Sequence, residues 1–456
     1  MATLSPAPDS YIQSILDTDM YKLSMQAAVQ QLYPEATVKY RFTNRGGTRF
    51  TRKMYDAVQL AINHLSTLTL TPSELSFLQS RCAYLPPSYL SYLSSYRFRP
   101  DEQVKLRFVP SGETDKDEEW GSFDLEIEGK WCETILYEVP VMSIISEAYF
   151  THVDTKWDYV GQIENAYQKG LRLFESGCLL SEFGSRRRRT YLAHDLVMRG
   201  LLSASKEGAS HSPSPLPGKL VGTSNVHFAM KYDVNPIGTI AHEFMMGIAA
   251  VEGYEGCNGR AMDQWEKVYP SGALSIALTD TFTTKPFFED FVSQPERARR
   301  WKGLRQDSGD PFKFIETAKE AWTRVGEEDL TKKNVVFSDS LDVDLCIKLK
   351  KASNEAGIGC SFGVGTHLTN DFRRVDPPSQ QPPSSKEPGS GPSRTEGEKS
   401  KALNMVIKLY SINDQPCVKI SDELTKNTGD PEAVKLVKRR FGLEQDGAEA
   451  KWGPTI

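Results

Sequence analysis

From about Ser176 onward the chain repeats one local rhythm. A short apolar run ends in small or charged residues, and a helical pattern follows. Leu220-Val221 leads into Gly222-Thr223-Ser224-Asn225, Leu274 to Leu278 into Thr279-Asp280, and Val335 to Phe337 into Ser338-Asp339. Cys360 to Phe362 leads into Gly363-Val364-Gly365-Thr366, and Met405 to Ile407 into Lys408. Alternating strands and helices imply a parallel sheet covered by helices. Strands that each deliver polar residues at their C-terminal ends are the layout of a barrel with its site on that face. A doubly wound open sheet shares this periodicity, so both stay open and the barrel is the preferred α/β reading. The first 150 residues mix helical stretches with β-rich ones at Val38 to Phe42, Val104 to Val109 and Phe123 to Ile127. That mixture predicts an α+β domain.

Two stretches break the rhythm. Residues 376–401, with PPSQQPPSSKEPGSGPSRTEGEKS, carry almost nothing apolar. They cannot bury enough surface to offset their ordering entropy and read as a disordered insertion. Residues 205–217 (SKEGASHSPSPLP) read as a shorter excursion of the same kind. A chain of 456 residues is about three times the ~150 that serves as a soft prior for one domain. Setting the excursions aside reduces it to two folded parts, 1–150 and 151–456, with the C-terminal segment able to pack back on the first. Fifty-five basic against 60 acidic residues, net −5, argue against a dedicated nucleic-acid binder. Seven scattered cysteines without a CxxC pair point to a reducing compartment. The N-terminus lacks a secretory pattern, and no apolar run approaches the ~18 residues that span a bilayer. The expectation is a cytoplasmic enzyme with no membrane partner.

Several segments carry chemistry. Gly363-Val364-Gly365-Thr366 after a buried strand offers close-approaching backbone N–H groups, equally a phosphate cradle or a plain turn. Arg305-Gln306-Asp307-Ser308-Gly309-Asp310-Pro311 packs a fork-shaped cation beside carboxylates that suit hydroxyls or hydrated Mg²⁺, although DSGDP is also good turn chemistry. Asp280 and Asp339, taken singly, read first as helix N-caps after their strands. His242 falls in the first turn of a helix whose Ile240, Phe244 and Ile248 face the core. The positive helix end there disfavours protonation and keeps the imidazole nucleophilic. In Phe183-Gly184-Ser185-Arg186-Arg187-Arg188-Arg189, four consecutive arginines on a helix would diverge. One or two can then share a site with the aromatic Phe183, and a solvated face accounts for the other two. Tyr21 and Arg45 lie in further aromatic and cationic words near the N-terminus.

In this order the segments resemble the nicotinate phosphoribosyltransferase family. The words are TDMYKLSM (18–25), YRFTNR (40–45), FGSRRRR (183–189), GTSNV (222–226) and GTIAHE (238–243). They continue with ALTDTF (277–282), GLRQDSGDP (303–311), VFSDSLD (336–342), SFGVGT (361–366) and NMVIKLY (404–410). The resemblance implies an α/β N-terminal domain and an irregular, incomplete α/β barrel. It also implies transfer of phosphoribose from 5-phosphoribosyl-1-pyrophosphate to nicotinate, giving nicotinate mononucleotide and pyrophosphate for NAD salvage. ATP is a co-substrate, hydrolysed through a phosphohistidine that the motif match places at His242, and Mg²⁺ is the expected cofactor.

Residue by residue, the resemblance assigns the nicotinate carboxylate to Arg305 and the ring to Phe183 and Tyr21, with Arg186 beside them. Arg45 and Lys408 become candidates for phosphate or pyrophosphate, and Gly363, Gly365 and Thr366 for the 5-phosphate. Asp280, Asp307 and Asp339 would serve ribose hydroxyls or Mg²⁺, with Asp280 and Asp307 as the metal candidates. Family dimers take the tyrosine from the other subunit, so a homodimer with a shared site and a monomer both stay open. The nucleus is a second expected location. Ser224 stands where the nicotinamide-using sister enzyme has aspartate. A carboxylate there, ~4 Å from that of nicotinate, would cost on the order of 4 kcal/mol at a dielectric near 20, so nicotinate is the expected base. The alternatives are nicotinamide phosphoribosyltransferase and a non-catalytic nucleotide-binding relative, with nucleic-acid binding through Arg186 to Arg189 more distant.

Overall fold

The computed structural model describes residues 11–115, 118–211, 217–379, 397–423 and 427–443. Its strands, in chain order, begin with β1 (Thr37–Asn44), β2 (Phe50–Thr51), β3 (Val104–Asp115) and β4 (Glu118–Lys130). There follow β5 (Leu179–Glu182), β6 (Lys219–Thr223), β7 (Asn235–Pro236), β8 (Ile276–Leu278), β9 (Gly303–Gln306), β10 (Asn334–Phe337) and β11 (Gly359–Val364). The last are β12 (Phe372–Arg373), β13 (Lys399–Ser400), β14 (Met405–Ile412) and β15 (Gln415–Pro416).

Strands β5 to β11 form one parallel sheet in the order β7-β6-β5-β11-β10-β9-β8. The sheet curls, but its end strands β7 and β8 do not pair, so the barrel is incomplete. Residues that sequence periodicity assigned to strands, Val335 and Phe337 in β10 and Cys360 and Phe362 in β11, are buried. Helices leave these strands through side-chain caps. Asp310 accepts the Phe312 and Lys313 N–H groups with Pro311 at the first helical position, and Asp342 accepts Leu345 N–H. Each cap satisfies donors that a helix start leaves orphaned.

The second sheet is antiparallel along the path β15-β14-β1-β4-β2, with β3 on β4. Here the structure departs from the sequence reading. Met405 to Ile407, expected as a barrel strand, belongs to β14 and pairs with β1 from Val38↔Ile412 to Asn44↔Met405. Alternation explains the difference: Met405, Ile407 and Leu409 are buried while Val406, Lys408 and Tyr410 are half-buried, the period of a sheet with one packed face. The 205–217 excursion is also revised, since the helix Tyr191–His211 runs through its first half. Residues 212–216 and 380–396 of the two excursions lie outside the described residues. Lys399 and Ser400 from the edge of the longer excursion pair with Phe372 and Arg373.

The arginine run differs most. Ser185–Arg187 is a 3-10 turn, and Arg188 and Arg189, two candidates for a solvated face, are fully buried. Arg188 grips Asp17 through Nη1 (2.8 Å) and Nη2 (2.9 Å) and donates to the Tyr11 carbonyl at 2.7 Å. Arg189 lies 3.6 Å from the Phe150 ring centroid and donates to Ser400. A guanidinium tolerates burial when a bidentate carboxylate or aromatic faces replace water. Arg188 thereby ties the N-terminal strap to the barrel, and its charge helps hold the buried Asp17 carboxyl down to about 2. Arg188→Met should leave the buried Asp17 carboxylate without its counter-charge and lower stability by about 3–5 kcal/mol, read as a lower urea midpoint. Asp17→Asn in the same background should recover part of the loss.

Candidate functional site

A cavity of about 650 Å³ opens where the C-terminal ends of the parallel strands meet the antiparallel sheet. From the expected site it gathers Phe183, Arg186, His242, Arg305, Asp307, Asp339, Gly363, Gly365 and Thr366 on the barrel side, and Arg45 and Lys408 on the other. Tyr21, Ser224 and Asp280 stand outside its lining. Among residues not foreseen, Arg187, Lys399, Lys401 and Lys419 add four cations to the wall.

His242 is the first residue of the helix His242–Glu252 and is buried. Its Nδ1 lies 3.0 Å from Thr281 Oγ1, and its Nε2 lies 3.0 Å from Asp307 Oδ2 and 2.9 Å from Lys419 Nζ. Burial, then the Lys419 ammonium, bring the imidazole down to about 4, so it is neutral at pH 7. Lys419 arrives from a segment stitched to the strand-end loop, with Ile420 N–H donating to the Thr281 carbonyl and Thr283 N–H to the Ile420 carbonyl. One lysine far along the chain carries no sequence signal. Only the pairing of this segment with the loop after Asp280 brings it to the histidine.

Asp307 holds Arg305 Nη2 (2.9 Å) and Ser338 Oγ (2.7 Å) on Oδ1 and faces His242 with Oδ2. Its carboxyl lies well below the usual range: against the cost of burial, the Arg305 guanidinium and then the Lys419 ammonium hold it down. Arg305 also donates from Nε to Ser338 Oγ at 2.8 Å, so its fork is aimed before any ligand arrives. Asp280 does not cap a helix. It is buried, and its Oδ2 accepts from Ser308 Oγ (2.6 Å) and Lys419 Nζ (3.3 Å). Its Oδ1 is buried with no hydrogen-bond partner among the described residues and lies 3.7 Å from His242 Nε2. Asp339 is not a cap either; Asp342 takes that place, and Asp339 accepts from Ser340 Oγ at 2.9 Å on the cavity wall.

His242, Asp280 and Asp307 offer ligand atoms within 4.8 Å of one another. An orphaned carboxylate oxygen beside a second carboxylate suits a hard divalent ion with oxygen preference. Asp280 and Asp307 are therefore the residues that fit Mg²⁺.

The Phe183 end of the cavity is braced from behind. Glu138, from the helix Glu138–His152, accepts from Arg186 Nη1 at 3.2 Å and Tyr21 OH at 3.4 Å. Tyr21 and Arg186 of one chain thus share a carboxylate. Lys22 Nζ bridges Glu138 (2.5 Å) and Glu243. The role of Glu243 follows: its Oε1 accepts Tyr40 OH (2.5 Å) and Trp131 Nε1 (2.7 Å), so it anchors the helix behind His242 rather than bonding the imidazole. Ser224 is buried and donates to Asp19 Oδ1 at 2.7 Å, where Ser185 Oγ also donates at 2.6 Å. Its hydroxyl thus faces an existing carboxylate. Gly363 makes room for the ring residue: a Cβ there would sit 2.3 Å from the Phe183 ring.

Lys408 is half-buried beside Arg186 and Lys419, and its ammonium comes down to about 8, first through burial and then despite Glu138. Lys419→Met should raise the His242 pKa above about 4, because it removes the largest cationic influence on the imidazole. NMR titration of the His242 ring carbons checks this, and an unchanged value would contradict the described contact.

Residues 178–382 and 393–445 match the sequence profile of the nicotinate phosphoribosyltransferase (NAPRTase) family, and residues 16–146 that of its N-terminal domain. A nicotinate phosphoribosyltransferase of Saccharomyces cerevisiae is 39% identical over 438 residues, covering 95% of this chain and 96% of its own. One from Methanosarcina mazei is 39% identical over 459 residues, covering 95% and 100%. Among solved structures, the Saccharomyces cerevisiae crystal structure superposes with a TM-score of 0.85 at 39% identity, covering 95% of this chain and 99% of that one. The Porphyromonas gingivalis nicotinate phosphoribosyltransferase gives 0.79 at 33% identity, covering 94% and 100%. With both parts of the fold and nearly its whole length matched, the chain belongs to the nicotinate phosphoribosyltransferase family.

Proposed function

We propose that this chain transfers phosphoribose from 5-phosphoribosyl-1-pyrophosphate to nicotinate, coupled to ATP hydrolysis through a phosphohistidine at His242, as a step of NAD salvage. The observation that carries the reading is a neutral, buried imidazole whose Nε2 faces Lys419 and Asp307 in a cation-lined cavity. With Nδ1–H donated to Thr281 Oγ1, the Nε2 lone pair attacks the γ-phosphorus of ATP. The N–P bond forms as the bond to the ADP oxygen breaks. Lys419, 2.9 Å from the attacking nitrogen, stays beside the transferred group and offsets its charge. Mg²⁺, held by Asp280 and Asp307, supplies charge to the polyphosphate oxygens when bound.

In the second half, pyrophosphate leaves the ribose C1 and the nicotinate ring nitrogen bonds to it. The sugar becomes oxocarbenium-like as the bond breaks, so fixed charges act by preorganisation and positioning. Arg45 and Lys408 face the departing pyrophosphate, the Gly365–Thr366 turn takes the 5-phosphate, and Asp339 a ribose hydroxyl. Phe183 and Arg186 receive the flat anionic ring, with Tyr21 bracing Arg186 through Glu138 and Arg305 within the same pocket. Because Tyr21 and Arg186 meet on Glu138 within one chain, this arrangement suits a monomer as well as a homodimer. No helix among the described residues is long and apolar enough to cross a membrane, and the reading carries a cytoplasmic location with the nucleus as a second.

Incubation with nicotinate, 5-phosphoribosyl-1-pyrophosphate and Mg²⁺ should yield nicotinate mononucleotide, with ATP stimulating turnover. Replacing nicotinate with nicotinamide should give at least 100-fold lower kcat/KM, and the reverse preference would favour the sister activity. With γ-labelled ATP, an acid-labile, base-stable phosphoprotein should form in the wild type and not in His242→Ala. Full ATP stimulation in that variant would remove His242 from the mechanism.

The pH dependence has a defined sign. The Lys408 ammonium is present in the free protein below about 8 and is lost above it, whereas a bound anion favours the charged form. KM for 5-phosphoribosyl-1-pyrophosphate should therefore rise as pH climbs through 8. In Lys408→Met that rise should flatten.

A further inference from the structure

Behind the ring pocket lies a polar cluster outside the cavity lining: Glu182, Gly184, His194 and Thr223. Glu182 ends β5 and is fully buried. Its Oε2 accepts from Thr223 Oγ1 at 2.6 Å and from His194 Nε2 at 2.7 Å, and its Oε1 accepts the Gly184 backbone N–H. The Glu182 backbone carbonyl takes the Ser224 N–H at 2.8 Å. A buried carboxylate is costly unless donors replace its water. Here the donors come from three separate elements: the end of β6, the helix Tyr191–His211, and the loop that follows β5. His194 is itself fully buried, and its other nitrogen, Nδ1, has no partner among the described residues. Glu182 is thus the one hydrogen-bonding anchor described for that imidazole.

The Gly184 peptide is clamped on both sides. Its N–H goes to Glu182, and its carbonyl accepts Thr369 Oγ1 at 3.0 Å. A Cβ at 184 would lie 2.2 Å from Thr369 Oγ1 and 2.7 Å from Glu182 Oε1, so only glycine fits. One residue before it is Phe183 and two after it is Arg186, both on the cavity wall. Phe183 N–H in turn donates to the Val364 carbonyl at 2.8 Å. A shift of the Gly184 peptide would therefore move the aromatic face and the guanidinium together.

We propose that Glu182 is a positioning residue for the ring pocket, setting through the Gly184 amide the loop that carries Phe183 and Arg186. It acts on the flat anionic base without touching it. This inference rests on the activity proposed above and adds to it a residue buried away from every reacting atom. The His242 cluster hangs on other contacts, and the phosphate turn meets this loop through the backbone, Phe183 N–H on the Val364 carbonyl, which the Glu182 side chain does not make, so the effect falls chiefly on the base.

Glu182→Gln is the test, because it keeps the volume and one acceptor oxygen but turns an NH₂ donor toward the Thr223 and His194 donors. Steady-state rates with nicotinate and 5-phosphoribosyl-1-pyrophosphate varied separately should show at least a tenfold rise in KM for nicotinate. The KM for 5-phosphoribosyl-1-pyrophosphate and kcat should stay within threefold. Thr223→Val, which deletes one donor and leaves the Gly184 contact, should raise the same KM by about threefold. A merely structural role would lower thermal stability and move both KM values together, and that pattern overturns the proposal. Should Glu182→Gln fail to fold, Thr223→Val decides, and an unchanged KM for nicotinate in it overturns the proposal. Normal wild-type turnover with unchanged variant KM values sinks this inference alone. Absence of product from the wild type sinks the activity reading and the inference with it.

Discussion

One ammonium group joins the two halves of this protein. Lys22 is fully buried, and its Nζ sits between Glu138 and Glu243. Three helices meet there: the one that begins at Met20, the one that begins at Glu138 and the one that begins at His242. Neither carboxylate could be dehydrated alone at tolerable cost, and neither could Lys22. Together they are stable only in this arrangement, which makes the contact a strong determinant of geometry. Glu138 then gives its Oε1 to Arg186 and shares its Oε2 between Lys22 and Tyr21, and Glu243 fastens the helix that presents His242 through Tyr40 and Trp131. Gly247 lets that helix press on Trp131, since a Cβ there would lie 2.3 Å from the indole. The ring end and the histidine end of the cavity are thus held by one buried charge cluster.

That cluster also explains why the overall charge says little about the ligand. The chain is net negative, yet the cavity wall carries Arg45, Arg187, Lys399, Lys401, Lys408 and Lys419 beside Arg186 and Arg305. Like charges brought together in a partly dehydrated cleft depress one another, as Lys408 and Arg187 both show by their downward shifts, led by burial. Their repulsion is a cost that a polyanion relieves on entry. Acidic groups elsewhere cancel the sum without cancelling the local field.

Much of the architecture was legible because it rests on period and punctuation. The strands of the parallel sheet were visible as apolar runs closed by polar residues, and the site words were visible because several chemically loaded segments fall in one order. What stayed hidden depended on distant pairing. Met405 to Ile407 has the same apolar content as a barrel strand, and only its partner β1 decides that it belongs to the antiparallel sheet. Arg188 and Arg189 look like solvated charges until Asp17 and the Phe150 ring come to them from far along the chain. Asp280 and Asp339 follow strands as helix caps do, but Asp342 caps the helix after Asp339 and Asp422 takes the Thr284 N–H at the start of the helix after Asp280, while Ser308 and Lys419 claim Asp280. Lys419 had no local signature at all, because its meaning lies in the loop it pairs with.

The β1–β14 ladder has a consequence for how the molecule is made. Strand β1 is made well before β14, with β4 following to cover one of its edges. Its other edge stays bare until β14, about 360 residues later, has been made. During that interval the unpaired backbone of β1 is an edge open to foreign strands, and its closure is a contact of very long sequence separation, which folds slowly. Lys408 lies on β14, and Lys419 reaches His242 only after it. The nascent chain therefore has its histidine, its Arg305 fork and its phosphate turn well before it has the lysines that complete them. The contact between Lys419 and His242 thus depends on a segment made long after the barrel strands that carry the histidine.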